Sequence, residues 1–152
     1  MMKILIATDG TKFSSPAIEI IAKFNLPPKS EIKIVSVIDM AVPLSIDTYI
    51  GYMPTTVELE KFAREHAEKI LSEAANYVSE RFSESAIIIT TDVLIGSPES
   101  RIVETAEEIK ADLIIIGSHG YNRWERLLLG SVSDSIVHHA PCSVLIVRLP
   151  KI

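Results

Sequence analysis

The chain has 152 residues, of which 47% are hydrophobic and 23% charged, enough for one globular domain spanning 1–152 with a sizeable core. Twenty acidic side chains against fifteen basic ones give a net charge of −5, which argues against a general nucleic-acid binder or an anionic-membrane binder, since both need a basic face. The single cysteine, Cys142, excludes an intramolecular disulfide, and no apolar segment approaches the length of a membrane span, so a cytoplasmic protein is the expectation.

Lys3 to Ala7 (KILIA) reads as a short strand whose continuous apolarity suits burial on both faces. The run is too short for a signal sequence and is cut by Asp9. Ser14, Ser15 and Pro16 form a helix start, with a serine cap and a proline in the first turn. Ala17, Ile18, Ile20, Ile21 and Phe24 supply that helix's apolar side, and Leu26-Pro27-Pro28 ends it. Glu31 to Ile38 is a second strand, ending at Asp39. Met40 to Pro54 has no periodicity and reads as a loop.

Thr55 and Glu58 have the spacing of a capping box. Leu59, Phe62, Ala63, Ala67, Ile70, Leu71, Ala74, Val78 and Phe82 then step at three and four, predicting one apolar stripe on a long helix. Ala86 to Leu94 is a third strand. Gly96-Ser97-Pro98 opens a helix with Ile102, Val103, Ala106 and Ile109 inward. Leu113 to Ile116 is a fourth strand, a helix follows through His138, and Ser143 to Val147 is a fifth strand. Alternation of strands and helices predicts a doubly wound α/β domain with a parallel sheet and helices on both faces. Ligands in such sheets lie outside the carboxyl ends of the strands, where Thr8-Asp9-Gly10, Asp39 and the glycine segment after Ile116 all fall.

That segment, GSHGYNRWERLLLGS, runs from Gly117 to Ser131. Gly117 and Gly120 let a ligand approach the main chain, and a helix beginning near Gly130-Ser131 presents free N–H groups and the positive end of its dipole, a phosphate site. Two turns and a cap without a ligand remain the alternative. His119 either faces phosphates or points to solvent, and Arg123 and Arg126 either neutralise phosphate charge or are solvated. Trp124 either covers the site or packs against its surroundings. Asp9 reads equally as a turn former before Gly10. His138, His139 and Cys142 lack the spacing of a metal site.

The spacing Gly117-x2-Gly120-x9-Gly130-Ser131 resembles the signature of the ATP-binding branch of the universal stress protein family. KILIATDGTKFS, GSPESRIVETAEE, ADLIIIGSHG, LLLGSVSD and HAPCSVLIVR extend the resemblance over nearly the whole chain, with Ser143 departing where many members carry proline. The resemblance implies a five-stranded parallel sheet of order 3-2-1-4-5, Rossmann-like in form. It also implies an ATP site, with Mg2+ or Mn2+, in which Asp9 sits by the ribose or phosphates. Ala7 and Thr8 then touch base or sugar, the main chain of Val37 is near adenine, and Ile116 and Gly117 lie under the ribose. Gly120, Gly130, Ser131 and Val132 meet the phosphates. A homodimer joined through the C-terminal strand is implied too, and the edge character expected of Ser143 to Val147 favours such pairing.

No catalytic set is evident, and the P-loop pattern is absent. The expected role is therefore nucleotide-dependent regulation in a stress response, without fast catalysis. The alternatives are a slow ATPase or phosphotransferase using the same site, or an interaction protein that binds no nucleotide.

Overall fold

The computed structural model describes residues 1–11, 14–40, 55–118 and 130–148. Five parallel strands form one sheet in the order β3-β2-β1-β4-β5. They are β1 (Lys3–Ala7), β2 (Glu31–Ile38), β3 (Ile88–Ile95), β4 (Leu113–Gly117) and β5 (Ser143–Val147). Among the described residues, four helices connect them: α1 (Ser15–Ile20, continued by a 3-10 turn over Ile21–Lys23), α2 (Thr56–Arg81), α3 (Pro98–Ile109) and α4 (Ser131–His139). Among the described residues no helix is long and apolar enough to cross a membrane.

The continuous apolar strands are explained by two cores, one on each face. Successive side chains of a strand point to opposite faces. Ile4, Ile6, Ile32, Ile34 and Ile115 accordingly pack with Ala17, Ile18 and Ile21, and with Leu71, Ala74 and Val78 of α2. Leu5, Val35, Ile114 and Ile116 pack on the other face with Ile102 and Ala106 of α3 and Ile136 of α4. The central strands β1, β2 and β4 are thus sealed on both sides, and β3 and β5 form the two edges.

Local signals place the helix ends. The Thr55 hydroxyl accepts the Glu58 N–H at 3.2 Å, and the Glu58 carboxylate accepts the Thr55 N–H at 2.9 Å, the two bonds of a capping box. One member of the expected α2 stripe does not hold: Phe62 is 59% exposed. The buried line is Ala63, Ala67, Leu71, Ala74 and Val78. Phe62 lies one position, about 100°, off that line, on the side of His66, Lys69 and Glu73. The third strand begins and ends slightly later than expected, at Ile88 and Ile95. The Met40–Pro54 loop expected from sequence lies, beyond Met40, outside the described residues.

Candidate functional site

The strand order reverses between β1 and β4. The chain leaves β1 toward α1 on one face and leaves β4 toward α4 on the other. Their carboxyl ends are neighbours, with Ile4, Leu5 and Ile6 in register with Leu113, Ile114 and Ile115. Diverging exits from adjacent strands leave a crevice between them, where ligands of open α/β sheets bind.

At the exit of β1 the chain is fixed by hydroxyl groups. The Thr8 N–H still bonds to the Val35 carbonyl at 3.0 Å, holding the strand's end to β2. The next residue, Asp9, is half-buried, and its Oδ1 accepts three hydrogen bonds. These come from the Thr11 N–H at 3.0 Å, the Thr11 hydroxyl at 2.6 Å and the Ser14 hydroxyl at 2.7 Å. The bond to Thr11 N–H is an Asx turn, the local alternative that aspartate offers to a continuing strand. Gly10 takes φ +76°, and a Cβ built there would sit 2.6 Å and 2.7 Å from two side-chain carbons of Ile70 on α2. The turn thus needs glycine for its backbone and for the close approach of α2.

Ser14 stands at the N-cap of α1 as expected, yet its side chain makes no capping bond. A serine cap contributes about 1 kcal/mol. Here the hydroxyl is turned to Asp9 instead, and the cap expectation is corrected to that extent.

At the exit of β4 the two arms of the glycine segment come together. The Gly130 N–H donates to the Ser118 carbonyl at 2.9 Å, and the Ser133 hydroxyl donates to the Gly117 carbonyl at 2.8 Å. The Ser118 N–H in turn bonds Val147 of β5 at 3.0 Å. The chain therefore leaves β4 at Ser118 and returns to the same place at Gly130. The first helical bond of α4 is that of the Asp134 N–H to the Gly130 carbonyl, at 2.9 Å. The N–H groups of Ser131, Val132 and Ser133 precede it, and Gly130 has no side chain to cap them. A helix start of this kind favours an anion. Gly120, His119, Arg123, Trp124 and Arg126 lie outside the described residues.

The apolar members of the expected site gather on one side. Ile116 belongs to the core facing α3 and α4, and Ala7, Val37 and Val132 pack against it while remaining partly exposed. Ala7 is in register with Val35, so Val37 lies on β2 two residues beyond the end of β1. The structure thus brings Ala7, Thr8, Asp9, Val37, Ile116, Gly117, Gly130, Ser131 and Val132 to one end of the sheet.

Sequence reasoning missed Ser14 and Ser133 as parts of this end. A signal for Ser133 existed: it shares the inward face of α4 with Ile136, three residues on, and a hydroxyl on such a face must find a partner. Elsewhere, an open cleft of about 470 Å³ lies between α2 and β3, lined in part by Arg64, Glu68, Asn76 and Asp92. It is on the outer edge, away from the order reversal, and its Asp92 already pairs with Lys33 at 3.3 Å.

His138 and His139 are exposed, and each turns Nδ1 back to a carbonyl of its own helix, of Asp134 at 2.7 Å and Ser135 at 2.8 Å. Among the described residues no three histidine, cysteine or acidic side chains converge as a metal site. The thiol of Cys142 is pushed above its ordinary range by burial and then by the charge of Asp112, with a hydrogen bond from the Ile114 main chain acting in opposition.

This end of the sheet can be set beside known proteins. A curated relative, universal stress protein MJ0531 of Methanocaldococcus jannaschii, is 35% identical over 98% of this chain and 83% of its own length. The solved structure of the hypothetical protein MJ0577 superposes with a TM-score of 0.70 at 25% identity, covering 99% of this chain and 97% of that one. A universal stress protein solved in complex with cAMP superposes with a TM-score of 0.66 at 22% identity, covering 98% of each chain. The model of the universal stress protein family matches residues 1–148, and the chain belongs to that family.

Proposed function

We propose that this chain binds ATP in the crevice between β1 and β4 and uses the bound nucleotide to change its shape or its choice of partner, without fast turnover. The observation that carries the reading is the joined glycine segment: Gly130 and Ser133 bond back to Ser118 and Gly117 at the exit of β4, the strand next to β1. That closure sets the start of α4, with no side-chain cap, at the exit of β4, and its first-turn N–H groups would suit a phosphate in the crevice. Ser131, Val132 and Gly130 would meet the phosphates, together with Gly120. Ala7, Thr8, Val37, Ile116 and Gly117 would line the base and ribose. The cAMP complex of a protein with the same fold supports an adenine nucleotide as the ligand class.

Mg2+ or Mn2+ would accompany the triphosphate. Magnesium in nucleotide sites is commonly held by one or two carboxylates plus phosphate oxygens. Asp9 suits that role, because among the described residues its three hydrogen bonds all fall on Oδ1, which leaves Oδ2 to accept. The ion would neutralise phosphate charge there. Homodimerisation through β5 completes the proposal. Its outer edge has no strand partner among the described residues, and Val144 to Val147 are only partly buried.

Acid denaturation of freshly purified protein, followed by mass spectrometry of the released small molecules, tests this reading. ATP in near-equal amount to protein is the expected result. ADP as the main species would shift the reading to a slow ATPase. Release of no nucleotide, followed by no response to added Mg-ATP, would overturn it.

A further inference from the structure

Asp9 is held from a residue that would ordinarily serve its helix. Ser14 is almost fully buried, at 5% exposure, and its Oγ lies within hydrogen-bond distance of four atoms. They are Asp9 Oδ1 at 2.7 Å, Thr8 Oγ1 at 2.9 Å, Thr11 O at 3.2 Å and Asp9 N at 3.3 Å. A serine hydroxyl has one proton and two lone pairs. The proton belongs with the shortest and only charged acceptor, Asp9 Oδ1, because hydrogen bonds to ionised acceptors are the strong ones. The lone pairs then accept the Thr8 hydroxyl and the Asp9 N–H. Thr8 Oγ1 accepts the Gly10 N–H at 3.2 Å, and the Thr11 carbonyl is served instead by the Ser15 hydroxyl at 3.1 Å. Every hydroxyl proton in the cluster is used once, and three of its donors, the Thr11 N–H and the Thr11 and Ser14 hydroxyls, converge on one oxygen of one carboxylate.

We infer that Ser14 is a positioning residue for Asp9: by fixing Oδ1 from beneath, it holds Oδ2 toward the crevice for the donor or cation that the nucleotide brings. The inference rests on the nucleotide-binding reading above. A free aspartate side chain would have to be ordered when the ligand arrives, and that ordering would weaken binding. Ser14, buried against the strand exit, settles the rotamer beforehand.

The test is a double-mutant cycle read by calorimetric titration with Mg-ATP, on wild type, Ser14→Ala, Asp9→Ala and the double variant. Ser14→Ala is expected to weaken binding roughly tenfold, the size of a lost hydrogen bond to a charged group. In the Asp9→Ala background the same change is expected to have no further effect, because Ser14 acts through Asp9. Ser14→Thr, which keeps the hydroxyl, is expected to restore tight binding. Ser14→Gly, also acceptable at an N-cap, replaces the alanine variant in the cycle if that one does not fold. Equal losses in both backgrounds, or no loss from Ser14→Ala, would overturn the positioning role and leave the nucleotide site standing. Wild-type affinity in Asp9→Ala would remove Asp9 from the site and the role of Ser14 with it.

Discussion

Gly10→Ala tests how closely α2 is built against the exit of β1. Two costs are separable. An L side chain at φ +76° costs roughly 1–2 kcal/mol. The new methyl would also lie 2.6 Å from Cδ1 and 2.7 Å from Cγ1 of Ile70, an overlap that must be relieved by moving the isoleucine, for about 1–3 kcal/mol more. A total near 3 kcal/mol lowers Tm by roughly 6–12 °C in a chain of this size. Urea denaturation followed by circular dichroism measures it. In an Ile70→Ala background the overlap disappears and only the backbone part, roughly 1–2 kcal/mol, should remain. A Gly10→Ala cost within about 0.5 kcal/mol would refute the account of this turn. So would the same cost in both backgrounds, since the contact with Ile70 would then contribute nothing.

Three further outcomes are expected. Thr55→Ala removes the side-chain half of the α2 capping box and should cost about 1 kcal/mol in the same denaturation assay. Leu71→Ala should cost about 2–5 kcal/mol, whereas Phe62→Ala should stay within about 0.5 kcal/mol, because Leu71 is 3% and Phe62 59% exposed. The Cys142 thiol, held above its ordinary range, keeps less thiolate in the folded protein than in the unfolded one around that range. Its alkylation by iodoacetamide near pH 8 should therefore be several-fold slower in the native protein than in urea, and the gap should narrow as pH rises past the folded value.

The fold was legible because its signals are local and strong. Apolar runs such as Leu113 to Ile116 mark strands covered on both faces, and Thr55 with Glu58 marks a helix start that the structure reproduces bond for bond. Phe62 was misread because a stripe counted at three and four admits residues on its flank, and only packing decides which flank is covered. The candidate site was legible as glycines at a strand exit and as an acid after β1. What joins these parts was not. The bonds from Ser133 to Gly117, Ser14 to Asp9 and Gly130 to Ser118 link groups whose side-chain directions are set only once helices and strands have packed. Ser14 shows the limit most plainly: its sequence context is that of a helix cap, and its hydroxyl serves a carboxylate instead. Val37, an ordinary strand residue by pattern, is a site candidate through family resemblance alone; the register puts it two residues beyond the end of β1.

The central claim is that the crevice between β1 and β4 holds an adenine nucleotide. The most direct measurement is calorimetric titration of nucleotide-free protein with ATP, with and without Mg2+, for wild type and Asp9→Ala. The account predicts saturable binding of one nucleotide per chain, weakened by the substitution in a variant that still unfolds cooperatively. Absence of binding by wild type at millimolar ATP, or binding to Asp9→Ala that matches wild type, would contradict it.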